Sequence, residues 1–214
     1  MKYKIYNEDC NKTIERENVK FNVVLTSPPY NTSRKGMSKR AVDNYECRYD
    51  SYQDFKGIDE YIDWSINIFK KLESKLGKDG VILYNMSYSS ENIEKASMMY
   101  GVIGKLLTDT NLCVADTIIW KKKSALPNNV SKNKLTRICE FVFVIVRKKE
   151  FKSFQANKEV SKVSEKNNQK YYKNYFNFIE APNNDGSCKL NKATYSSELC
   201  NNLLSLYAKE GDII

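Results

Sequence analysis

Apolar residues recur along this chain at two spacings, and the alternation between them lays out its elements. Residues 2–6, Lys-Tyr-Lys-Ile-Tyr, alternate polar with aromatic or aliphatic groups, which predicts a strand. The apolar run Val23-Val24-Leu25-Thr26 predicts a second strand over 22–25. From Asp59 to Leu76 the spacing changes: Ile62, Ile66, Phe69, Leu72 and Leu76 return every three or four residues, the signature of an amphipathic helix. Gly77 and Gly80 are expected to end it and admit a buried strand, Val81 to Tyr84. A second helix is predicted from about Glu91 to Asp109, then a strand at Thr117 to Trp120, a helix start at Ser131 and a strand from Glu140 to Val146. A final amphipathic helix spans about Ser197 to Ala208, using Leu199, Leu203, Leu204 and Tyr207. Strands that are nearly all apolar, alternating with helices, predict an α/β protein with a mostly parallel sheet covered on both faces.

Two stretches break the pattern. Asn31 to Ser51 is a long polar loop carrying Arg34, Lys35, Lys39, Arg40 and Arg48, and a loop of that length in a compact domain is usually functional or mobile. Residues 152–174 are rich in Lys, Asn and Ser, with Lys152, Lys158, Lys162, Lys166, Lys170 and Lys173 among them, and read as an exposed insertion or flexible segment.

A length of 214 residues suits one α/β domain with a real core, and the hydrophobic fraction of 41% fits a globular chain. The net charge of +9 favours a polyanionic partner, nucleic acid first. Histidine is absent, which removes His-based triads, His general bases and nearly all catalytic zinc arrangements. The six cysteines (Cys10, Cys47, Cys113, Cys139, Cys188, Cys200) show no metal-ligand spacing, so no metal is expected. With no signal peptide, they read as reduced thiols of a cytoplasmic protein. The longest uninterrupted apolar stretch, Phe141 to Val146, is too short for a membrane span, so no membrane partner is expected.

The strand at 22–25 runs straight into Ser27-Pro28-Pro29-Tyr30. Two prolines fix φ and remove two N–H groups, so no helix starts there and the segment stays extended and stiff. What faces a ligand is a hydroxyl, carbonyl oxygens and an aromatic ring able to stack on something flat. That is the chemistry needed to hold a flipped-out nucleobase by its exocyclic amino group. A Pro-Pro turn that merely caps a strand is the ordinary alternative.

Leu25-Thr26-Ser27-Pro28-Pro29-Tyr30-Asn31 resembles the catalytic motif of the DNA amino-methyltransferases, which methylate the amino nitrogen of cytosine or adenine. Tyr61-Ile62-Asp63-Trp64, Gly80 to Asn85, Ile119-Trp120-Lys121-Lys122 and Arg137-Ile138-Cys139-Glu140 fall where that family places its later motifs. The resemblance implies a Rossmann-like methyltransferase fold, circularly permuted in the order called the beta group. It implies S-adenosylmethionine as cofactor, with Asp9 and Cys10 at one contact and Thr194, Tyr195 and Ser196, in a segment that starts at Ala193, at another. Helix capping is an equally good account of Asp9. Ser27 Oγ and the Pro28 carbonyl are the natural acceptors for the substrate amino group, with Pro29 and Tyr30 completing the catalytic segment and Tyr30 stacked on the base. Arg34, Lys35, Lys39, Arg40, Lys121, Lys122 and Lys123 are candidates for phosphate contacts, against the commoner reading of a solvated charged face.

Three regions are therefore expected: a catalytic part over 1–150, a target-recognition or flexible insertion over 151–190, and the start of a cofactor-binding part over 191–214. Family members continue past a segment like Lys209 to Ile214 into an Asp-Pro-Phe and a Gly-rich turn, and this sequence contains no Gly-x-Gly. The expectation is a chain truncated before that cofactor motif, lacking the C-terminal cofactor-binding strands, with a missing segment or a second chain supplying them. Ser27, where Asp is often found, points toward cytosine-N4 methylation of double-stranded DNA. The alternatives are adenine-N6 methylation, a non-catalytic DNA-binding remnant, and methylation of an RNA base or of a protein glutamine, with the basic balance weighing against the protein substrate. A cognate restriction endonuclease is a further possible partner.

Overall fold

The computed structural model describes residues 3–31, 56–88, 93–186 and 194–214. Helix α1 (Cys10–Arg16) precedes strand β1 (Phe21–Thr26), helix α2 (Ile58–Lys75) and strand β2 (Leu76–Met86). Helix α3 (Ile93–Asp109), strands β3 (Leu112–Lys122) and β4 (Cys139–Arg147) and a 3-10 turn over Lys148–Glu150 follow. Strands β5 (Val160–Val163), β6 (Lys170–Tyr172) and β7 (Phe178–Ala181) and helix α4 (Ser197–Tyr207) complete the order.

The main sheet has the order β1-β2-β4-β3-β7. β1 is parallel to β2 and β3 to β7, while β4 runs antiparallel to both of its neighbours. Four strands thus share one direction, and the mostly parallel sheet is as expected. β4 reverses because residues 123–138 return directly from β3 without a crossover helix, and only antiparallel neighbours can be joined that way. The helix start expected at Ser131 is not there; a turn at residues 132–133 takes its place.

Side-chain alternation along the central strands separates two cores. Ile82, Tyr84 and Met86 of β2, with Phe143 and Ile145 of β4, pack under α2 and α3 through Tyr61, Ile66, Phe69, Met98, Met99, Val102 and Leu106. Val81 and Leu83, with Val142, Val144 and Val146, face the other way toward Trp120, Ile179, Ala181 and α4 through Leu199, Leu203 and Tyr207. Both faces of β2 and β4 are covered, which is why these strands read as continuous apolar runs.

Two further expectations need correction. Residues 3–7 form no strand, and Tyr3 and Ile5 are 80% and 85% exposed. Alternation alone does not supply a pairing edge, and the segment instead docks on α1 through Lys4–Glu17 at 3.4 Å and Arg16 4.8 Å over the Tyr6 ring. Nor do Gly77 and Gly80 separate helix from strand: β2 begins at Leu76, directly after α2. The glycines are required by the close approach of β1, since a Cβ at Gly80 would sit 3.1 Å from the Phe21 carbonyl oxygen and 3.2 Å from that of Gly77. Within the exposed 152–174 stretch, β5 and β6 pair as an antiparallel hairpin. The outer edge of β1 is met by the C-terminal residues: the Asn22 N–H donates to the Ile213 carbonyl at 2.8 Å, and the Ile213 N–H donates to Asn22 Oδ1 at 3.0 Å.

Opposite effects are expected at two glycines in urea denaturation. Gly80→Ala should destabilise by about 1–3 kcal/mol, because both neighbours are backbone and neither can swing away. Gly104→Ala, in the interior of α3 with no atom within 4 Å of the new Cβ, should stabilise by about 0.5–1 kcal/mol. Equal effects at the two sites would contradict the packing of β1 on β2. Burial also raises the Tyr84 phenol and lifts that of Tyr207 to about 12, against an ordinary value of 10. An acid whose folded value is raised contributes stability that is complete below the unfolded value and lost above it. The tyrosine contribution to the unfolding free energy should therefore be level to about pH 10 and then fall by about 1.4 kcal/mol per pH unit for each such tyrosine; a flat profile between about pH 10 and pH 12 would contradict it.

Candidate active site at the end of strand β1

β1 ends beside the ends of β2 and β4, where polar groups replace the apolar runs. Thr26 pairs with Tyr84 of β2, and Asn85 of β2 lies opposite Val142 of β4. Glu140 is two residues before Val142, so Asn85 and Glu140 are diagonal neighbours on one face. Glu140 in turn lies opposite Trp120 of β3, and Lys122 follows on the same face. The chain direction of β4 thus delivers a carboxylate, an amide and an ammonium to the point where the Pro-Pro segment leaves the sheet.

That segment is held from behind at each residue after Pro28. The Pro29 carbonyl accepts from Tyr61 Oη at 2.6 Å. The Tyr30 hydroxyl lies 2.7 Å from Asn85 Oδ1 and 3.0 Å from Glu140 Oε2, and Ser27 Oγ donates to it at 3.0 Å. Asn31 adopts a left-handed φ of 55°, which asparagine tolerates better than most residues. Its side chain is fully buried, donating to the Lys56 carbonyl at 2.8 Å and accepting from the Lys56 N–H at 2.7 Å. Ser27 remains exposed, and the Pro28 carbonyl takes no hydrogen bond among the described residues.

Glu140 is buried, and its second oxygen pairs with Lys122 Nζ. Lys122 also lies 5.4 Å over the Trp120 ring, whose indole N–H donates to the Ala181 carbonyl at 3.1 Å. Tyr195 meets the same ring edge-on at 6.1 Å. Burial raises the Tyr195 phenol well above its ordinary range, the nearby Ser27 hydroxyl lowers it and the Glu140 charge raises it. Tyr30 is raised strongly as well, by burial first and by Glu140 next.

The structure therefore gathers Ser27, Tyr30, Lys122 and Tyr195 around Glu140. The remaining candidates are placed differently. Asp9 caps α1, accepting at Oδ1 from the Asn11 N–H at 2.8 Å and from Asn11 Nδ2 at 3.0 Å, and the backbone bond holds its carboxyl below the usual range. Cys10 opens the same helix and is exposed. Ser196 caps α4, accepting from the Leu199 N–H at 3.2 Å and donating to the Pro182 carbonyl at 2.9 Å, while Thr194 lies just before it. Lys121 pairs with Glu180 at 2.7 Å and Lys123 with Glu198 at 3.1 Å, so both reach the surface already partnered. Arg34, Lys35, Lys39 and Arg40, with Arg48, lie outside the described residues. Sequence reasoning placed Tyr61, Asn85 and Glu140 within segments that resemble later family motifs and gave none of them an individual role. The available signal was a polar residue at the end of each of two otherwise apolar strands. Among the described residues no group of three or more Cys, Asp or Glu could hold a metal ion, and no helix is long and apolar enough to cross a membrane.

Comparison with known proteins bears on this geometry. Type II methyltransferase M.MjaVI of Methanocaldococcus jannaschii is 27% identical over 111 residues, 52% of this chain and 50% of that protein. The chain thus spans about half the length of the curated relative it matches. The structure of PvuII DNA methyltransferase (cytosine-N4-specific) superposes with a TM-score of 0.64 at 15% identity, covering 97% of this chain and 71% of that one. M1.HpyAVI superposes with a TM-score of 0.55 at 16% identity, covering 97% of this chain and 76% of that one. These likenesses establish a shared fold. The family model described as DNA methylase matches residues 21–214, from the first residue of β1 to the last of the chain, and the chain belongs to that family.

Proposed function

We propose that this chain is the catalytic and target-facing part of an S-adenosylmethionine-dependent DNA methyltransferase that modifies the exocyclic amino group of cytosine, at N4, in duplex DNA. The observation that carries the reading is the end of β1, where Ser27 is exposed and the Pro28 carbonyl takes no hydrogen bond among the described residues, beside a Pro29–Asn31 segment fixed from behind. An exocyclic amino nitrogen is a poor nucleophile because its lone pair is delocalised into the ring. Two acceptors that take its N–H groups favour a pyramidal nitrogen whose lone pair is free to attack. Catalysis is then positioning and electrostatics, which needs no histidine.

S-adenosylmethionine supplies the electrophilic methyl group when bound. Asp9 fits its adenine end: Oδ1 is used by the α1 cap, and Oδ2 has no hydrogen bond among the described residues, leaving an acceptor for an amino group. Tyr195 lines the wall between Trp120 and Ser27. Tyr30, anchored by its hydroxyl and only partly buried, would stack its ring on the base, which offsets part of the few kcal/mol needed to unstack it from the duplex. Residues 1–150 are the catalytic part, 191–214 begin the cofactor part, and 151–190 read the target. In that last region the β5–β6 hairpin exposes Tyr171 and Tyr172 among Lys162, Lys166 and Lys170, with Phe176 exposed just after it, aromatic and cationic groups suited to bases and phosphates. Ser27 in the motif favours cytosine-N4; the same acceptor pair suits adenine-N6, which is the second reading.

Tritiated methyl transfer from S-adenosylmethionine to unmethylated genomic duplex DNA tests the reading. It should be run on residues 1–214 and on the chain joined to a segment bearing Asp-Pro-Phe and a Gly-rich turn. Incorporation is expected with the joined segment and should fall about 100-fold in Ser27→Ala. DNA binding without incorporation in either form would favour the non-catalytic remnant, and full activity in Ser27→Ala would remove Ser27 from the chemistry.

A further inference from the structure

We propose that Asn85 and Glu140, acting through the Tyr30 hydroxyl, fix the direction of the Ser27 proton, so that Ser27 Oγ meets the substrate as a hydrogen-bond acceptor and selects an amino-bearing base over an oxo-bearing one. The inference rests on the amino-methyltransferase reading and assigns two positioning residues to it.

A serine hydroxyl is donor and acceptor at once, and nothing in the residue itself decides which face it shows a ligand. A carboxylate at the same place would be acceptor-only and need no help. At Ser27 the decision is made further in. Asn85 Nδ2 donates to the Phe141 carbonyl at 3.0 Å, which fixes the amide and turns Oδ1 toward Tyr30. Rotating that amide would set two oxygens against each other at Phe141. Glu140, paired with Lys122, is a carboxylate and has no proton to offer. Tyr30 Oη therefore meets two acceptors on its inner side, at 2.7 Å and 3.0 Å, and gives them its single proton. Its oxygen is left to accept, and the group placed to donate is Ser27 Oγ at 3.0 Å.

The chain of bonds thus has one polarity: Ser27 to Tyr30, Tyr30 to Asn85 and Glu140. The Ser27 proton is used inward, and the lone pairs of an exposed oxygen face outward beside the Pro28 carbonyl. An amino group at the target position satisfies both oxygens; a carbonyl there would set lone pairs against lone pairs. The raised phenol of Tyr30 keeps its proton in place at neutral pH. Tyr195, whose hydroxyl is buried without a hydrogen-bond partner among the described residues, is the competing acceptor for Ser27.

A neutron structure of the deuterium-exchanged chain reads the polarity directly and needs no activity. The deuteron on Ser27 is expected to point at Tyr30 Oη, and that on Tyr30 at Asn85 Oδ1 or Glu140 Oε2. A Ser27 deuteron directed to solvent or to Tyr195, or a Tyr30 deuteron directed at Ser27, overturns the proposal. In the joined, methyl-transferring protein, Tyr30→Phe keeps the ring and removes the hydroxyl relay together with its bond to Glu140. It should lower kcat about tenfold with KM for DNA little changed, and lower it less than twofold when Ser27→Asp is already present. The same tenfold loss in both backgrounds would overturn the proposal. Failure of the functional reading has a different signature: no variant transfers methyl, while the neutron map still reports the proton.

Discussion

The bond from the Tyr30 hydroxyl to a buried carboxylate is the interaction on which this end of the molecule depends. Glu140 sits at the edge of the apolar interior, where an ionised group costs several kcal/mol unless its oxygens are satisfied. Lys122 satisfies one and Tyr30 the other. Removing either partner leaves an incompletely paired charge in a poorly solvated place, so the site and the local fold share a single set of bonds. The Pro-Pro segment is stiff by its own chemistry, but stiffness does not place it. Tyr61 on Pro29, Asn85 and Glu140 on Tyr30, and Lys56 on Asn31 do that.

Those contacts are in turn a consequence of sheet register. Asn85 and Glu140 share a face because β4 runs antiparallel between β2 and β3 in the observed alignment. A slip of one residue in β4 would send Glu140 to the α2–α3 side and bring the wrong parity of side chains to both cores. The two apolar clusters on either side of β2 and β4 thus hold the polar groups in register, and members of both reach them: Tyr61 donates to the Pro29 carbonyl and Trp120 lies under Lys122.

Much of this was legible in the chain. Helix α2 and helix α4 declared themselves by spacing, the central strands by their unbroken apolar runs, and the stiff segment Ser27 to Tyr30 by two prolines after a strand. What was hidden was pairing. Period-two alternation at residues 2–6 looks the same whether or not an edge is available, and here none is taken among the described residues. The direction of β4 cannot be read from composition, so the diagonal placement of Asn85 and Glu140 was invisible. The run Lys121-Lys122-Lys123 reads as a cationic surface, yet Lys122 turns inward to Glu140 while its neighbours pair outward with Glu180 and Glu198. Charge totals report how many lysines there are and nothing about which carboxylates meet them.

The central claim is that the end of β1 presents acceptors to an exocyclic amino group. Its most direct test is the identity of the product: DNA methylated by the joined protein, digested to nucleosides and analysed by mass spectrometry against standards. The account predicts N4-methylcytosine, with N6-methyladenine as the outcome of the second reading, and no methyl group on ring carbon. Recovery of 5-methylcytosine would contradict it, because methylation at ring carbon calls for a nucleophile at the base and not for two acceptors at its amino group.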